Sequence, residues 1–121
     1  MVTSEGATAL PNTWYASIEK SKEKARKLLK KVVVLDMNDS VIVGVLEDVM
    51  IDKLFNVQYP FIKLTLQKIK KYDAKEKLVT KIDEQIFFIN KPQMIMDVRE
   101  FEKKYPNIYQ DFHVEMKKGV Y

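Results

Sequence analysis

Five carboxylates fall between positions 36 and 52, and they are the first candidates for chemistry in this sequence. They are Asp36, Asp39, Glu47, Asp48 and Asp52. Gathered at one point, such side chains could hold a divalent cation that activates water for hydrolysis. Asp36 and Asp39, however, flank a predicted turn, and strand alternation sends Glu47 and Asp48 to opposite faces. The pattern therefore favours turn and surface carboxylates, and we expect no metal site.

Other catalytic arrangements find little support. His113 is the single histidine and lies near the C-terminus, so neither a histidine cluster nor a Ser-His-Asp triad can form within one chain. The absence of cysteine excludes disulfides, thiolate zinc sites and thiol catalysis. Glycine occurs only at positions 6, 44 and 119, which rules out a glycine-rich phosphate loop. We predict a protein that is not an enzyme and uses no cofactor.

Composition indicates a globular chain with a possible anionic partner. The 121 residues are 46% hydrophobic and 31% charged, which suits one domain with a buried core. The net charge is +4, and all basic residues except Arg26 and Arg99 are lysines. Lysine is a hydrated point charge suited to phosphate, although a solvated lysine surface is an equally good interpretation.

The predicted location is the cytoplasm. No apolar run approaches the roughly 20 residues needed to cross a bilayer. Residues 1–10 lack the basic start and apolar centre of a secretory signal.

A β-hairpin is predicted at the centre of the elements that must position any site. Two β-branched runs, 32–35 and 41–43, are separated by Asn38, Asp39 and Ser40. Gly44 interrupts the second run, which predicts a bulge, a bend or a close backbone approach.

A helix is predicted before the hairpin, from Asn12 or Thr13 to about Lys30. Its apolar residues recur at helical spacing on one face. They are Trp14, Ile18, Ala25, Leu28 and Leu29. The other face is rich in lysine, and Glu19 and Glu23 are placed to pair with lysines one turn away.

Three further strands are expected after the hairpin, at 61–69, at 78–89 with a break near Asp83, and at 94–98. Alternation is clearest in the first of them, which we expect to be followed by a charged connection over 68–77. Pro92 predicts a turn at 90–93, because proline cannot donate to a central ladder.

One or two helical turns are predicted over 99–104. They should end at Tyr105-Pro106, because the residue before a proline disfavours the helical conformation. Five spaced apolar residues follow: Ile108, Tyr109, Phe112, Val114 and Met116. We expect this segment to pack against the strands or against a partner.

Two short motifs resemble those of the Sm-like (Sm and LSm) small-barrel family. Gly44 and Leu46 match its glycine-x-leucine in the second strand, and Asp52 and Asn56 match its D-x-x-x-N spacing. Residues 88–94 fall where the second motif is expected. The departures are that Asp52 lies two residues too far from Gly44, and that an asparagine and a lysine replace the arginine and glycine of the second motif.

The resemblance covers about residues 15–98 and implies a mainly β fold. The implied architecture is an N-terminal helix followed by a five-stranded, strongly bent antiparallel barrel over 13–98. A flexible tail at 1–12 and a C-terminal extension at 99–121 complete the predicted organisation. In such a family, the fourth strand of one subunit pairs with the fifth strand of the next, which implies a homo-oligomeric ring of six to eight subunits.

The same resemblance implies binding of single-stranded, U-rich RNA at Asp52, Leu54, Asn56, Asn90 and Lys91. In the family, an asparagine hydrogen-bonds the uracil edge, an aspartate orients it, and an apolar side chain covers the base. Leu54 can still take the apolar role and Lys91 can contact phosphate, but Asn90 offers no stacking guanidinium.

Alternatives remain at each point. Asp52 and Asn56 could instead stabilise a turn, 90–92 could be only a turn, and Met94 and Met96 are better explained as core. The chain could also be a small-barrel scaffold or protein-interaction adaptor that docks through its C-terminal segment. A third hypothesis is sequence-neutral DNA binding through the lysine-rich faces.

Overall fold

The computed structural model describes residues 12–53 and 60–117, which form one antiparallel sheet, three α-helices and a short 3-10 helix at Pro92–Met94. In chain order the elements are α1 (Asn12–Lys27), β1 (Val32–Asp36), β2 (Ser40–Lys53), β3 (Pro60–Asp73), β4 (Leu78–Ile89), β5 (Ile95–Met96), α2 (Val98–Lys104) and α3 (Pro106–Lys117). The strand order is β4-β3-β2-β1-β5, so the two last strands lie at opposite edges. The predicted helix followed by five antiparallel strands is confirmed, but the sheet is not closed into the predicted barrel, because β4 and β5 lie at its opposite edges.

The predicted hairpin joins β1 and β2. Asp36 pairs with Val41 at the turn, and Val32 pairs with Val45 at the other end. Asn38 lies in the turn with a φ of 69°, a left-handed conformation that asparagine tolerates better than most residues.

Gly44 lies where the backbones of β2 and β3 approach each other closely. A Cβ at this position would be 3.0 Å from the carbonyl oxygen of Gln67. The register between the two strands shifts here, between Val43 and Val45, and Lys68 on β3 has a φ of 55°. The close backbone approach predicted at Gly44 is confirmed, and the extra residue of this register shift lies opposite it on β3.

β3 is longer than predicted, and β4 lacks the predicted break. β3 continues to Asp73, because Lys70 and Lys71 have backbone partners in both β2 and β4, where a charged connection was expected. β4 has no break near Asp83, because Glu84 pairs with Gln67 and also accepts a 2.8 Å hydrogen bond from its amide. Ladder partners on the neighbouring strand thus outweigh the polar composition of these segments.

The helix α1 and the strand β5 are shorter than predicted. α1 ends at Lys27 and is followed by a turn in which Lys30 adopts a left-handed φ of 66°. β5 is limited to Ile95–Met96, because Asp97 already caps α2.

The sheet has a buried core on each face. The α1 core contains mostly aliphatic side chains: Ile18, Ala25, Val33, Leu35, Ile42, Leu46, Val49, Ile62, Leu64, Leu66, Ile69, Phe87, Ile89 and Ile95. The C-terminal core contains Val34, Val41, Val43, Tyr72, Met96, Phe101, Ile108 and Phe112. Successive residues of β1 and β2 therefore point alternately into the two cores.

The helices α2 and α3 hold the C-terminal core together. Phe101 makes edge contacts with Tyr109 and Phe112, with ring centroids 5.8 and 5.9 Å apart. His113 stacks on Tyr109, with ring centroids 5.6 Å apart. The expectation that this segment packs against the strands is confirmed. No helix within 12–53 or 60–117 is long and apolar enough to cross a membrane.

Candidate nucleic-acid interface

The loop between β4 and β5, residues 90–94, is fastened to α1 by hydrogen bonds. Ser17 Oγ donates to the carbonyl oxygen of Asn90 at 2.6 Å, and Lys24 Nζ donates to that of Pro92 at 3.2 Å. Within the loop, Met94 N–H donates to the carbonyl oxygen of Lys91. These bonds fix the backbone, so the loop presents its side chains at defined positions.

A polar cavity of about 360 Å³ lies on one side of this loop. It is lined by Asp36, Asn38, Asn90, Lys91, Gln93, Met94 and Lys104. We call it the amide cavity, because three carboxamides border it. Each carboxamide offers both hydrogen-bond donors and acceptors, and the lysines add cationic donors. The β1–β2 turn, the β4–β5 loop and the end of α2 each contribute side chains.

Asp36, at the end of β1, binds the end of α2 beside the amide cavity. Its Oδ2 accepts hydrogen bonds from Lys104 Nζ and, at 3.1 Å, from the hydroxyl of Tyr105. Partial burial raises the pKa of this carboxyl, but the bonds from Lys104 and Tyr105 outweigh that effect and leave the pKa below its ordinary value. The hydrogen bond to Asp36 in turn raises the pKa of Lys104. Both groups are therefore charged near neutral pH.

A second cavity of about 310 Å³ lies on the other side of the loop. It is lined by Thr13, Trp14, Ser17, Asn90, Lys91 and Gln93, and we call it the tryptophan cavity. The indole of Trp14 is held in place because its Nε1 donates to the carbonyl oxygen of Pro60 at 3.0 Å. Phe61 contacts the same indole edge to face, with ring centroids 5.4 Å apart. A fixed, half-buried aromatic ring thus borders this cavity.

A third cavity, of about 420 Å³, is lined by Leu28, Lys31, Val32, Asp97, Val98 and Arg99 and contains no predicted site residue. The Asp97 carboxylate there is already used, because it accepts from the backbone of Glu100 at 2.8 Å and caps α2. Because Asp97 is engaged in capping α2, this cavity is a weaker candidate for ligand binding than the two cavities beside the loop.

The structure brings together two of the five residues predicted to bind RNA. Asn90 and Lys91 border both cavities. Leu54 and Asn56 lie outside the described residues, and so does the side chain of Asp52. The backbone of Asp52 pairs with Phe61 at the end of the sheet where β4 also ends.

The cavity residues that were missed as site residues from the sequence include Trp14, Asn38, Gln93 and Lys104. Trp14 was interpreted as helix core and Asn38 as a turn residue, and both assignments are compatible with lining a cavity. Lys104 lies 68 residues from its partner Asp36, so no local pattern could have joined them. Met94 packs against the α1 core and Met96 lies in the C-terminal core, which confirms their predicted core role.

Two of the five carboxylates considered for a metal site are held in ion pairs. Asp36 pairs with Lys104, and Glu47 pairs with Lys30 at 2.6 Å. Among the side chains that the structure describes, which exclude that of Asp52, no three acidic or histidine groups converge on a cation position.

Comparison with known proteins adds no identity. No protein-family model matches the chain, and no curated protein matches it. The geometry around the β4–β5 loop is therefore the main guide to function.

Proposed function

We propose that the chain is a non-enzymatic, Sm-like protein that binds single-stranded, U-rich RNA at the β4–β5 loop. One observation carries this proposal: Asn90, Lys91 and Gln93 lie between a cavity lined by carboxamides and a cavity bordered by Trp14. These are the side-chain types that hold an unpaired nucleotide.

The base edge, the base face and the phosphate of a nucleotide each have a suitable side chain at this loop. Carboxamides can hydrogen-bond the exposed edge of an unstacked base, and an indole can pack against its face. Lys91 is exposed and carries the positive charge that a phosphate requires. Because the loop backbone is fastened to α1, little conformational entropy is lost on binding.

Two features of the strands support the Sm-like interpretation. The helix precedes five antiparallel strands whose last two members are the edges. A second register shift, between Leu46 and Asp48, places Glu47 as an extra residue on β2. This bulge accounts for one of the two residues by which Asp52 is displaced from the family spacing.

Ring assembly through β4 and β5 is part of the proposal. β4 is an edge strand with three exposed apolar residues, Leu78, Val79 and Ile86, which are 49%, 58% and 44% exposed. A long apolar edge favours pairing with another chain, and β5 of a neighbouring subunit would cover it. Native mass spectrometry should show a closed hexamer, heptamer or octamer, whereas a monomer would contradict the ring.

RNA binding is tested by fluorescence anisotropy with labelled oligouridine. Lys91→Gln should weaken binding by removing a phosphate contact, and Asn90→Ala and Asn56→Ala should reduce the preference for uridine. Lys77→Gln, in the exposed turn between β3 and β4, is the matched control and should bind like the wild type.

The result that would overturn the proposal is binding no tighter than to a random acidic polymer and unchanged by Asn56→Ala. Steep salt dependence together with equal affinity for RNA and DNA would favour the sequence-neutral alternative instead.

A further inference from the structure

We infer that the amide cavity is a nucleotide subsite completed by the C-terminal extension, with the base edge at the carboxamides and the phosphate between Lys91 and Lys104. This inference rests on the proposed RNA-binding function and assigns a role to residues that its motifs do not include. Asn38 comes from the β1–β2 turn and Lys104 from the end of α2.

The hydrogen-bonding capacity of the three carboxamides in the cavity is unused within the described part of the chain. Among residues 12–53 and 60–117, the side-chain amides of Asn38, Asn90 and Gln93 have no hydrogen-bond partner, since the bonds at Asn38 and Asn90 involve backbone atoms. Three amides with open donors and acceptors around one cavity suit a base edge, which presents both kinds of group.

The charge of the cavity suits one phosphodiester. Lys91 and Lys104 each contribute a positive charge and Asp36 contributes one negative charge, which leaves a net charge of one. A phosphodiester carries a single negative charge and would balance it. The Lys104 side chain is 56% exposed, so its ammonium can face a phosphate while it contacts Asp36.

The conformation of Asn38 makes a clean variant possible. Its φ of 69° lies in the left-handed region, where alanine would be strained and glycine would not. Asn38→Gly therefore removes the carboxamide and keeps the turn, while Lys104→Gln removes a charge and keeps the length of the side chain. Lys103→Gln, which removes a neighbouring exposed charge on α2 that does not line the cavity, is the control.

The experiment measures binding of the full chain to oligouridine, oligocytidine, oligoadenosine and an abasic oligonucleotide at several salt concentrations. Lys104→Gln should weaken binding to all four alike and lower the salt slope by about 1. Asn38→Gly should weaken binding to the preferred base by at least about fivefold and leave the abasic oligonucleotide unaffected. Lys103→Gln should match the wild type.

Two outcomes separate this inference from the proposed function. If Lys91→Gln weakens RNA binding while Asn38→Gly and Lys104→Gln behave like the wild type, the amide cavity is not a subsite and RNA binding stands. Equal losses in Lys103→Gln and Lys104→Gln would also overturn the subsite, since they would indicate general charge attraction. If the wild type binds no RNA, both proposals fail.

Discussion

The two cores on opposite faces of the sheet differ in how they are covered. The α1 core is covered by one helix, and its side chains are almost all aliphatic. The C-terminal core is covered by α2 and α3 and is centred on aromatic residues, with Phe101 and Phe112 fully buried. β1 and β2 supply alternate residues to both cores, so the central hairpin is buried on both faces. The two ends of the chain therefore stabilise the same hairpin from opposite sides.

The largest effect is expected from removing the centre of the C-terminal core. Phe101→Ala should lower the free energy of unfolding by about 3–5 kcal/mol, because it leaves a cavity beside Tyr109 and Phe112. Urea denaturation followed by circular dichroism measures the loss. Phe88→Ala, at a partly exposed position of β4, is the control and should cost clearly less.

A matched pair of isoleucines compares the two cores directly. Ile18 on α1 is 3% exposed and Ile108 on α3 is 2% exposed. Each alanine variant should lose about 2–5 kcal/mol, because both side chains are fully packed. An Ile108→Ala loss below 1 kcal/mol would show that the C-terminal core contributes little, and the two faces would then not be equivalent.

A substitution at Gly44 tests how tightly β2 and β3 pack beside the α1 core. Gly44→Val should destabilise the fold by about 1–3 kcal/mol, because even a Cβ would lie 3.0 Å from the backbone oxygen of Gln67. The decrease in Tm on thermal denaturation measures this loss of stability. Met50→Val, at a half-exposed position of the same strand, should change stability little, and a comparable loss there would argue against a steric cause.

The smallest effect concerns the ion pair that connects the hairpin turn to α2. The folded-state pKa of Asp36 is lowered, so its stabilisation is fully present above the unfolded-state pKa of about 3.9 and is lost as the pH falls through the folded value. Because Lys104 is more than half exposed, Asp36→Asn should cost no more than about 1 kcal/mol at pH 7.

The stability difference between Asp36→Asn and the wild type should shrink when urea denaturation is repeated near pH 3. Asp83→Asn, at an exposed position of β4, serves as the control and should show no such pH dependence. A difference for Asp36→Asn that stayed constant with pH would show that the carboxylate charge is not what stabilises the turn.

Local sequence patterns predicted the structure correctly where a residue type has one main physical reason for its position. The β-branched runs predicted the hairpin, and Gly44 predicted the close approach of the β2 and β3 backbones. They failed where distant partners decided, as in the lysine-rich end of β3, which stays extended because β2 and β4 pair with it on both sides. The candidate site shows the same limit, since Asn90 and Lys91 were predicted as site residues while Asn38 and Lys104 were not.

The sequence by itself determined α1, the hairpin, the strand at Ile62–Leu66 and the helical start of the extension. Periodicity and turn residues act over a few positions, so they are sufficient to define such local elements. Only the tertiary structure decided that β1 and β2 are buried on both faces, and that Asp36 holds Lys104 beside the β4–β5 loop. The reason is physical: burial and cavity shape depend on contacts between residues far apart in the chain, and no local spacing encodes them.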